Sequence, residues 1–390
     1  MIEKLWENPK YFRLFLALYF LTLLFLLTTT PLSPSEAKIF YSKPDTPANI
    51  IAHLFNNFIS GVLALRILSF LFGLLNIYLF YEISKDYFKR DEDVRFVLSI
   101  FMLTPAVFVS NIILNEAIVP TTMVLLFVIG YKRDLLPLKI ISLIILFWSD
   151  TANFAFYFAI LIFGYFKKRR ELIYLGAIFL VISLLFGSYS FVGKPKGHLP
   201  ELLALYAGLF SPLLFIYYFY ALYRTALEGE RDIFWYLSFI PLLISILLSI
   251  RQQILIVDFA PFLLLGLVIP AKVYLKSLRV RLKRFQNPYI FSMRILFFSM
   301  LFGILILVFH KPIYRALGSP KRFFVAPLYY PYDIAQELRA KGQECYDFRV
   351  RGRYHRVLKF YGFEECQPKI TPLLEILKPP QATYQYLHLR

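Results

Sequence analysis

The sequence predicts an all-α polytopic membrane protein with about eleven transmembrane helices and a small C-terminal α/β unit. Three values support this fold class: a mean hydropathy of +0.60, a hydrophobic share of 58% and an aromatic share of 19% over 390 residues. About half of a typical soluble domain is apolar, and a helix needs about 20 largely apolar residues to cross a bilayer. The composition therefore excludes an ordinary soluble protein.

Eleven apolar segments mark the predicted transmembrane helices. They lie at 12–30, 61–81, 96–114, 117–131, 136–148, 152–166, 172–190, 200–222, 233–250, 254–271 and 289–309. No small-residue cleavage site follows the apolar run from Leu14 to Leu27, and Thr28 to Pro34 leads directly into the charged residues that begin at Glu36. We therefore expect the first segment to stay in the protein as a helix and not to be a secretory signal.

Positive charge is distributed unevenly between the connecting segments. With the N-terminus in the cytoplasm, the inner segments hold 22 Lys and Arg residues and the outer loops before residue 310 hold 5. Because cytoplasmic loops carry the excess of Lys and Arg, this bias predicts a cytoplasmic N-terminus in an integral membrane protein. Most of the net charge of +18 reflects this orientation and the attraction of anionic lipids. No nucleic-acid partner is expected.

The sequence predicts two domains, and an odd number of spans places the second of them on the side opposite the N-terminus. Residues 1–309 form the transmembrane domain, and residues 31–60 are its first outer loop. Residues 310–390 then form a small soluble domain on the outer, extracytoplasmic face.

The C-terminal domain has a mixed pattern. It contains an amphipathic run at 332–341, a strand-like stretch at 344–350 and a second helical candidate at 354–362, which together predict an α/β unit. Cys345 and Cys366 are the only cysteines of the chain. In an oxidising compartment they form a disulfide, but two free thiols fit the sequence equally well.

Nearly every ionisable candidate falls on the predicted outer face. The residues are Glu36, Lys38, Lys43, Asp45, His53, Glu116, Asp150, Lys194, Lys196, His198 and Arg251. Arg66 lies one turn inside the second span. Charge near a bilayer is costly, so such a cluster indicates a site. Capping of the next helix is the alternative for Glu116, and for Asp150 it is the favoured explanation.

Several chemical motifs are absent. The chain has no Walker loop, no G-x-G-x-x-G, no H-E-x-x-H and no C-x-x-C sequence. Nucleotide-driven transport and zinc hydrolysis therefore lose support. No cofactor is expected, although a divalent metal ion is left open because His53 and His198 are present; scattered histidines are more often ordinary interfacial residues.

Four segments of the chain carry recognisable motifs in order. They are residues 35–41 (SEAKIFY) with Lys43-Pro44, residues 64–75 (ALRILSFLFGLL), residues 103–117 and residues 250–261. Together they resemble the GT-C class polyprenyl-phosphate-sugar glycosyltransferases, a family that includes protein mannosyltransferase-like enzymes and the lipid A aminoarabinose transferase. The first segment resembles the D-E-A-x-Y and K-P-P elements of the family's first outer loop, and the second is similar to L-R-L-P-S-x-L-F-G-L-L of its second span. The third resembles the family's third and fourth spans, and the fourth resembles a late span.

The resemblance implies that a sugar carried on a polyprenyl phosphate is transferred to an acceptor at the outer face. It implies that Glu36 is the catalytic base, that Lys43 binds the lipid phosphate and that Glu116 is the acid opening span four. Two departures are visible. Ser35 occupies the position of a first acid, and Asp45 replaces the second proline of K-P-P.

The predicted chemistry needs no metal ion. A carboxylate accepts the proton of the attacking hydroxyl or amine, fixed cations stabilise the departing phosphate, and direct displacement inverts the sugar. Arg66 has three open roles, which are an ion pair with Glu116, contact with the phosphate, or extension to the interface. The remaining phosphate-binding candidates are Lys38, Arg251, Lys194 and Lys196.

Other classes of function remain as alternatives. A transporter or lipid flippase needs charges between spans, but it predicts polar residues near the middle of the membrane and broken helices there. A surface-glycan ligase or polymerase would have much the same sequence, and a non-catalytic scaffold leaves the outer cluster unexplained. The expected partners are a polyprenyl-phosphate-sugar donor, membrane lipids, and a lipid, glycan or protein acceptor.

Overall fold

A computed structural model describes residues 6–41, 47–56, 61–149, 152–187, 189, 197–228, 231–318, 323–347, 350 and 352–366. Helices dominate these residues, and one two-stranded sheet lies near their C-terminal end. The helices of the first half are α1 (Pro9–Thr29), α2 (Pro34–Tyr41), α3 (Pro47–Asn56), α4 (Val62–Tyr87), α5 (Asp91–Leu103), α6 (Pro105–Ser110), α7 (Ile118–Lys132), α8 (Leu136–Trp148), α9 (Asn153–Phe166) and α10 (Arg170–Phe186). The second half contains α11 (Leu199–Phe210), α12 (Pro212–Glu228), α13 (Ile233–Ser249), α14 (Ile256–Leu265), α15 (Val268–Val280), α16 (Lys283–Val308), α17 (His310–Ala316), α18 (Ala326–Ala340), β1 (Cys345–Tyr346), α19 (Gly352–Phe360) and β2 (Glu364–Glu365).

Apolar helices long enough to cross a bilayer confirm an integral membrane protein. Within the described ranges, length and composition identify four such helices: α1, α4, α16, and α14 with α15 taken together as Ile256–Val280. A fifth arises if α11 and α12 are one span bent by 104°. Shorter apolar helices occupy other predicted segments, so the number of eleven spans stays a prediction.

Two of the predicted segments are not straight helices. The segment 96–114 is broken between Leu103 and Pro105, because a proline has no N–H to continue the helical bonding and disfavours helical geometry in the residue before it. The segment 200–222 bends at Ser211, which precedes Pro212 and has a φ of +79°. Both breaks place turns and polar backbone where the sequence pattern suggested continuous helix.

The first outer loop is helical and not extended. Helices α2 and α3 lie between the first two spans and pack against each other. A hydrophobic cluster that includes Leu32, Ala37, Leu65 and Leu114 fixes α2 against the start of α4 and the segment before α7. Residues of the first outer loop and of the second and third predicted spans therefore meet at one place.

The C-terminal segment contains a small β-α-β arrangement. Strands β1 and β2 are parallel, pairing Cys345 with Glu364, and α19 connects them. Cys345 and Cys366 form a disulfide with Cα atoms 5.0 Å apart, which settles the choice that the sequence left open. The helices predicted at 332–341 and 354–362 are present as parts of α18 and α19.

The C-terminal segment packs directly on the first outer loop. Val357 of α19 joins the cluster around α2, and the ring of Phe360 lies edge-on to Phe40 at 5.6 Å. The Leu32 N–H donates to the Tyr361 hydroxyl at 3.0 Å, which joins residues 329 positions apart. The two regions on either side of the boundary predicted at residue 310 are therefore in direct contact.

Candidate active site

Glu36 is held by the local sequence at the start of α2. Ser33, Pro34, Ser35 and Glu36 form a capping box, in which the Ser33 Oγ accepts from the Ser35 N–H at 3.1 Å. The Glu36 Oε2 accepts in turn from the Ser33 N–H at 2.7 Å. A proline in the first turn and an acid near the positive end of the helix are both favourable there. The S-x-x-E pattern was readable in the sequence and was missed.

Arg66 is fully buried beneath this turn, and all of its N–H groups are used. Its Nε and Nη2 donate to the two oxygens of Glu36, each at 3.0 Å. The remaining N–H groups donate to backbone carbonyls, those of Leu27 at 3.2 Å, Thr30 at 2.6 Å and Pro31 at 2.7 Å. A guanidinium has five N–H donors, so none is left for a ligand.

The Glu36 carboxylate is equally saturated. Besides Arg66 and Ser33, it accepts from the Leu114 N–H at 3.2 Å, which gives each oxygen two donors. Four lone-pair positions are therefore filled, and the side chain is fully buried. Arg66 thus pairs with Glu36 and not with Glu116, and it does not extend to the interface. A general base needs a free lone pair, which Glu36 lacks in this arrangement.

Glu116 is placed differently, at an open position beside Lys38. Its Oε1 lies 3.6 Å from the Lys38 Nζ, and the two side chains are 25% and 59% exposed. The Asn115 Oδ1 accepts from the Ala117 N–H at 3.0 Å, while no side chain caps α7. Glu116 therefore makes no capping bond to α7, and its carboxylate lies beside Lys38 of the first outer loop.

His53 is engaged within the loop itself. Its Nε2 lies 2.9 Å from the Phe40 carbonyl oxygen, and its ring stacks on the Phe40 ring with centroids 4.5 Å apart. Among the described residues, no group of three His, Cys, Asp or Glu side chains could hold a metal ion. The structure thus gives His53 a packing role between α2 and α3.

A second polar group lies near the start of α14. The His198 N–H donates to the Ser249 carbonyl at 2.9 Å, and its Nδ1 lies 3.3 Å from the Glu201 Oε2. Gln253 donates to the other oxygen of Glu201 at 2.6 Å. This brings His198 beside the segment that contains Arg251. The sequence prediction had not selected Glu201.

Asp258 is a further acid that the sequence prediction did not select. It lies in the first turn of α14 and is buried. Helix α14 packs against α7, and Glu116 immediately precedes α7. An acid inside a predicted span is itself a signal of a functional site, and this rule would have identified Asp258.

The remaining predicted site residues lie outside the described residues. They are Lys43, Asp45, Asp150, Lys194 and Lys196. Of the others, the structure brings together Glu36 with Arg66 and Lys38 with Glu116. It places His198 and Arg251 in the second group.

The helices of the first outer loop, with acids and cations gathered between apolar spans, belong to a helical membrane-protein fold. Two solved structures share the fold: ArnT from Cupriavidus metallidurans in the apo state, with a TM-score of 0.53 and 13% identity, and the same protein bound to undecaprenyl phosphate, with 0.55 and 14%. Each comparison covers 91% of this chain and 75% of the solved chain. The resemblance read from the sequence is thus confirmed as a likeness of fold to ArnT, a lipid A aminoarabinose transferase. No protein-family model matches the chain, and no curated protein sequence is similar to it.

Proposed function

We propose that the protein is an integral membrane glycosyltransferase that transfers a hexosyl or pentosyl unit from a polyprenyl-phosphate donor to an acceptor at the outer face. The observation that carries this proposal is the partly exposed carboxylate of Glu116 beside Lys38, in a fold shared with ArnT. One of the ArnT structures contains undecaprenyl phosphate, which supports the class of donor. The acceptor is a lipid, a glycan or a protein.

Glu116 is the general base in this proposal. Its side chain is partly exposed, whereas the oxygens of Glu36 accept from four donors. A positioned carboxylate that accepts the acceptor's proton contributes about 10² to 10⁴-fold to the rate. The base role that the family resemblance gives to Glu36 therefore passes to Glu116. Glu36 and Arg66 act instead as positioning residues that hold α2 and, through Leu114, the segment carrying Glu116.

Cations at the same face stabilise the leaving group. As the bond between the anomeric carbon and the phosphate oxygen breaks, its electron pair moves to the phosphate, so a fixed positive charge stabilises the transition state more than the ground state. Lys43 is the first candidate by resemblance, and the Lys38 Nζ lies 3.6 Å from the carboxylate of the proposed base. Arg251, Lys194 and Lys196 are the further candidates.

The reaction is a single displacement. The acceptor oxygen or nitrogen forms a bond to the anomeric carbon from the side opposite the phosphate, which inverts that centre. The proton passes to Glu116 and polyprenyl phosphate departs. The acceptor supplies the new bond, Glu116 takes the proton and the cations neutralise the departing phosphate, so the proposed step uses no metal ion.

The proposed orientation places this chemistry outside the cytoplasm. The bias of 22 to 5 in Lys and Arg supports a cytoplasmic N-terminus. The disulfide between Cys345 and Cys366 supports an oxidising compartment for the C-terminal segment. In a bacterium these features correspond to the inner membrane with the site facing outward.

A donor panel tests the proposed function. Protein purified in lipid nanodiscs is incubated with a panel of polyprenyl-phosphate sugars and with acceptor candidates, and released polyprenyl phosphate is measured. We expect release with at least one donor, and Glu116→Gln to lower it about 10² to 10⁴-fold. Because Glu116 is partly exposed, the Glu116→Gln variant should unfold at a temperature near that of the unmodified protein.

The matched control is Glu364→Gln. Glu364 pairs with Lys359 at the same distance of 3.6 Å, but on the C-terminal segment. We expect this variant to keep full release. Full release by Glu116→Gln would contradict the assignment of the base. Movement of the intact polyprenyl-phosphate sugar across the membrane of vesicles that contain the protein, without release of polyprenyl phosphate, would favour a flippase.

A further inference from the structure

A cavity of about 170 Å³ lies behind the buried ion pair, away from Lys38 and Glu116. It is formed by the end of α1, the start of α4 and the segments after residue 309. Its polar walls are Thr28, Thr29 and Thr30 on one side and Lys311, Tyr332 and Tyr361 on the other. Pockets for drug-sized ligands start at about 300 Å³, whereas a water occupies about 30 Å³. The cavity is therefore too small for a drug-sized ligand but has room for a small polar headgroup.

The C-terminal wall of the cavity offers donors without acceptors. In the described part of the chain, Lys311 makes no ion pair within 4.0 Å, although its charge interacts with the nearby Asp333 carboxylate. The Tyr332 hydroxyl makes no hydrogen bond among the described residues. The Tyr361 oxygen accepts from Leu32, but its hydrogen has no described acceptor. Burial raises the pKa of Tyr361, so that hydrogen is retained at neutral pH. These three donors fit an anion with several oxygens, such as a phosphate group.

Arg66 borders the cavity but does not supply its charge. All five of its N–H groups are used, and its positive charge is neutralised by Glu36. No lining residue in the described ranges is acidic. Lys311 is therefore the cation that an anionic group would meet.

The opposite wall offers acceptors. The hydroxyl hydrogens of Thr28 and Thr29 are used, because both donate to the Phe25 carbonyl, at 2.9 and 2.8 Å. Their oxygens still have lone pairs. A ligand that fits both walls thus combines a phosphate with an N–H or O–H group.

The surroundings of the cavity are apolar. Leu63 lines it and is exposed, and Leu24 and Phe25 are exposed on the adjacent turn of α1. In a membrane-spanning helix such side chains face acyl chains. We propose that this cavity binds the headgroup of a membrane phospholipid, with its phosphate on Lys311 and an ammonium group on Thr28 and Thr29. This site is separate from the proposed catalytic site and does not depend on it.

Lipid retention measured by native mass spectrometry tests the site. The full-length protein is extracted from nanodiscs that contain either phosphatidylethanolamine or phosphatidylcholine, whose trimethylated ammonium has no N–H. We expect one retained phosphatidylethanolamine and about tenfold less phosphatidylcholine. Lys311→Gln should lower phosphatidylethanolamine retention by a similar factor. Lys341→Gln, which changes an exposed lysine of the same region, should leave it unchanged.

The outcomes separate the possible ligands. Equal retention of both lipids, or retention that survives Lys311→Gln, overturns the proposal. A third arm adds inorganic phosphate to lipid-depleted protein and records thermal unfolding. Stabilisation there that is lost in Lys311→Gln, without selective lipid retention, would identify free phosphate as the ligand and contradict the lipid. Thermal unfolding of each variant shows that the fold is kept.

Discussion

Two acid-cation pairs lie on the same face of the molecule and differ in almost every physical respect. Glu36 and Arg66 are fully buried, 3.0 Å apart, and surrounded by backbone donors and acceptors. Glu116 and Lys38 are partly exposed and 3.6 Å apart. The first pair has no lone pair or N–H left, and the second has both. Charged residues near a bilayer therefore divide into those that hold a loop and those that are free to react.

The buried pair should have the largest effect on stability. Arg66→Met leaves the Glu36 carboxylate buried without its cation, which costs about 3–5 kcal/mol in the free energy of unfolding. Chemical unfolding in detergent, followed by tryptophan fluorescence, measures the loss. The double variant Arg66→Met with Glu36→Gln should recover only part of the lost stability, because the Leu27, Thr30 and Pro31 carbonyls still lack donors.

Arg224→Met is the matched control for this first prediction. Arg224 is also 3.0 Å from its partner, Glu228, but both side chains are partly exposed. Exposed pairs contribute about 0.2–1 kcal/mol. If both arginine variants lose the same stability, burial is not what distinguishes the two pairs.

A close helix contact links the two pairs and should have an intermediate effect. Gly73 lies on α4, and a Cβ there would be 2.2 Å from the Asn111 Oδ1. Asn111 belongs to the segment that leads to Leu114 and Glu116. Gly73→Ala should therefore cost about 1–3 kcal/mol, as overpacking does. It should also lower polyprenyl-phosphate release, which the same donor assay measures.

Gly208→Ala provides the comparison for Gly73→Ala. Gly208 is helical, and a Cβ there would meet nothing within 4 Å. We expect that variant to be as stable as the unmodified protein or slightly more stable. A Gly73→Ala protein that behaves like Gly208→Ala would show that the two pairs are not joined through this contact.

The exposed pair should have the smallest effect on stability. Lys38→Met should change the free energy of unfolding by less than about 1 kcal/mol and yet lower the rate of release, because it removes a cation beside the proposed base. Lys359→Met removes the cation of the Glu364 pair at the same distance and should leave release unchanged. Unchanged release by Lys38→Met would remove that lysine from the site.

Much of the fold was predictable because apolar length and charge bias are local properties of the sequence. The predicted segment 136–148 coincides with α8 (Leu136–Trp148), for example. The break before Pro105 was visible as a proline. The 104° bend at Ser211 was not, since a positive φ at a serine depends on the packing around it.

Several residues of the candidate site were selected from the sequence, but their contacts were not predictable from it. Glu36 and Arg66 were both selected, yet a separation of 30 positions allows many pairings, and the sequence left the partner of Arg66 open. The capping box at Ser33 was a local signal for a structural role of Glu36. Nothing local in the sequence connects Leu32 with Tyr361, so the contact between the first outer loop and the C-terminal segment could be seen only in the three-dimensional structure.

The hydrogen bond from Leu32 to Tyr361 also has a consequence for biosynthesis. Leu32 leaves the ribosome early, and its partner follows 329 residues later, after all of the membrane helices between them have been made. The first outer loop therefore acquires its last wall only near the end of translation. A chain that is interrupted before residue 361 keeps the acids and cations of the loop but lacks the surface that packs against them.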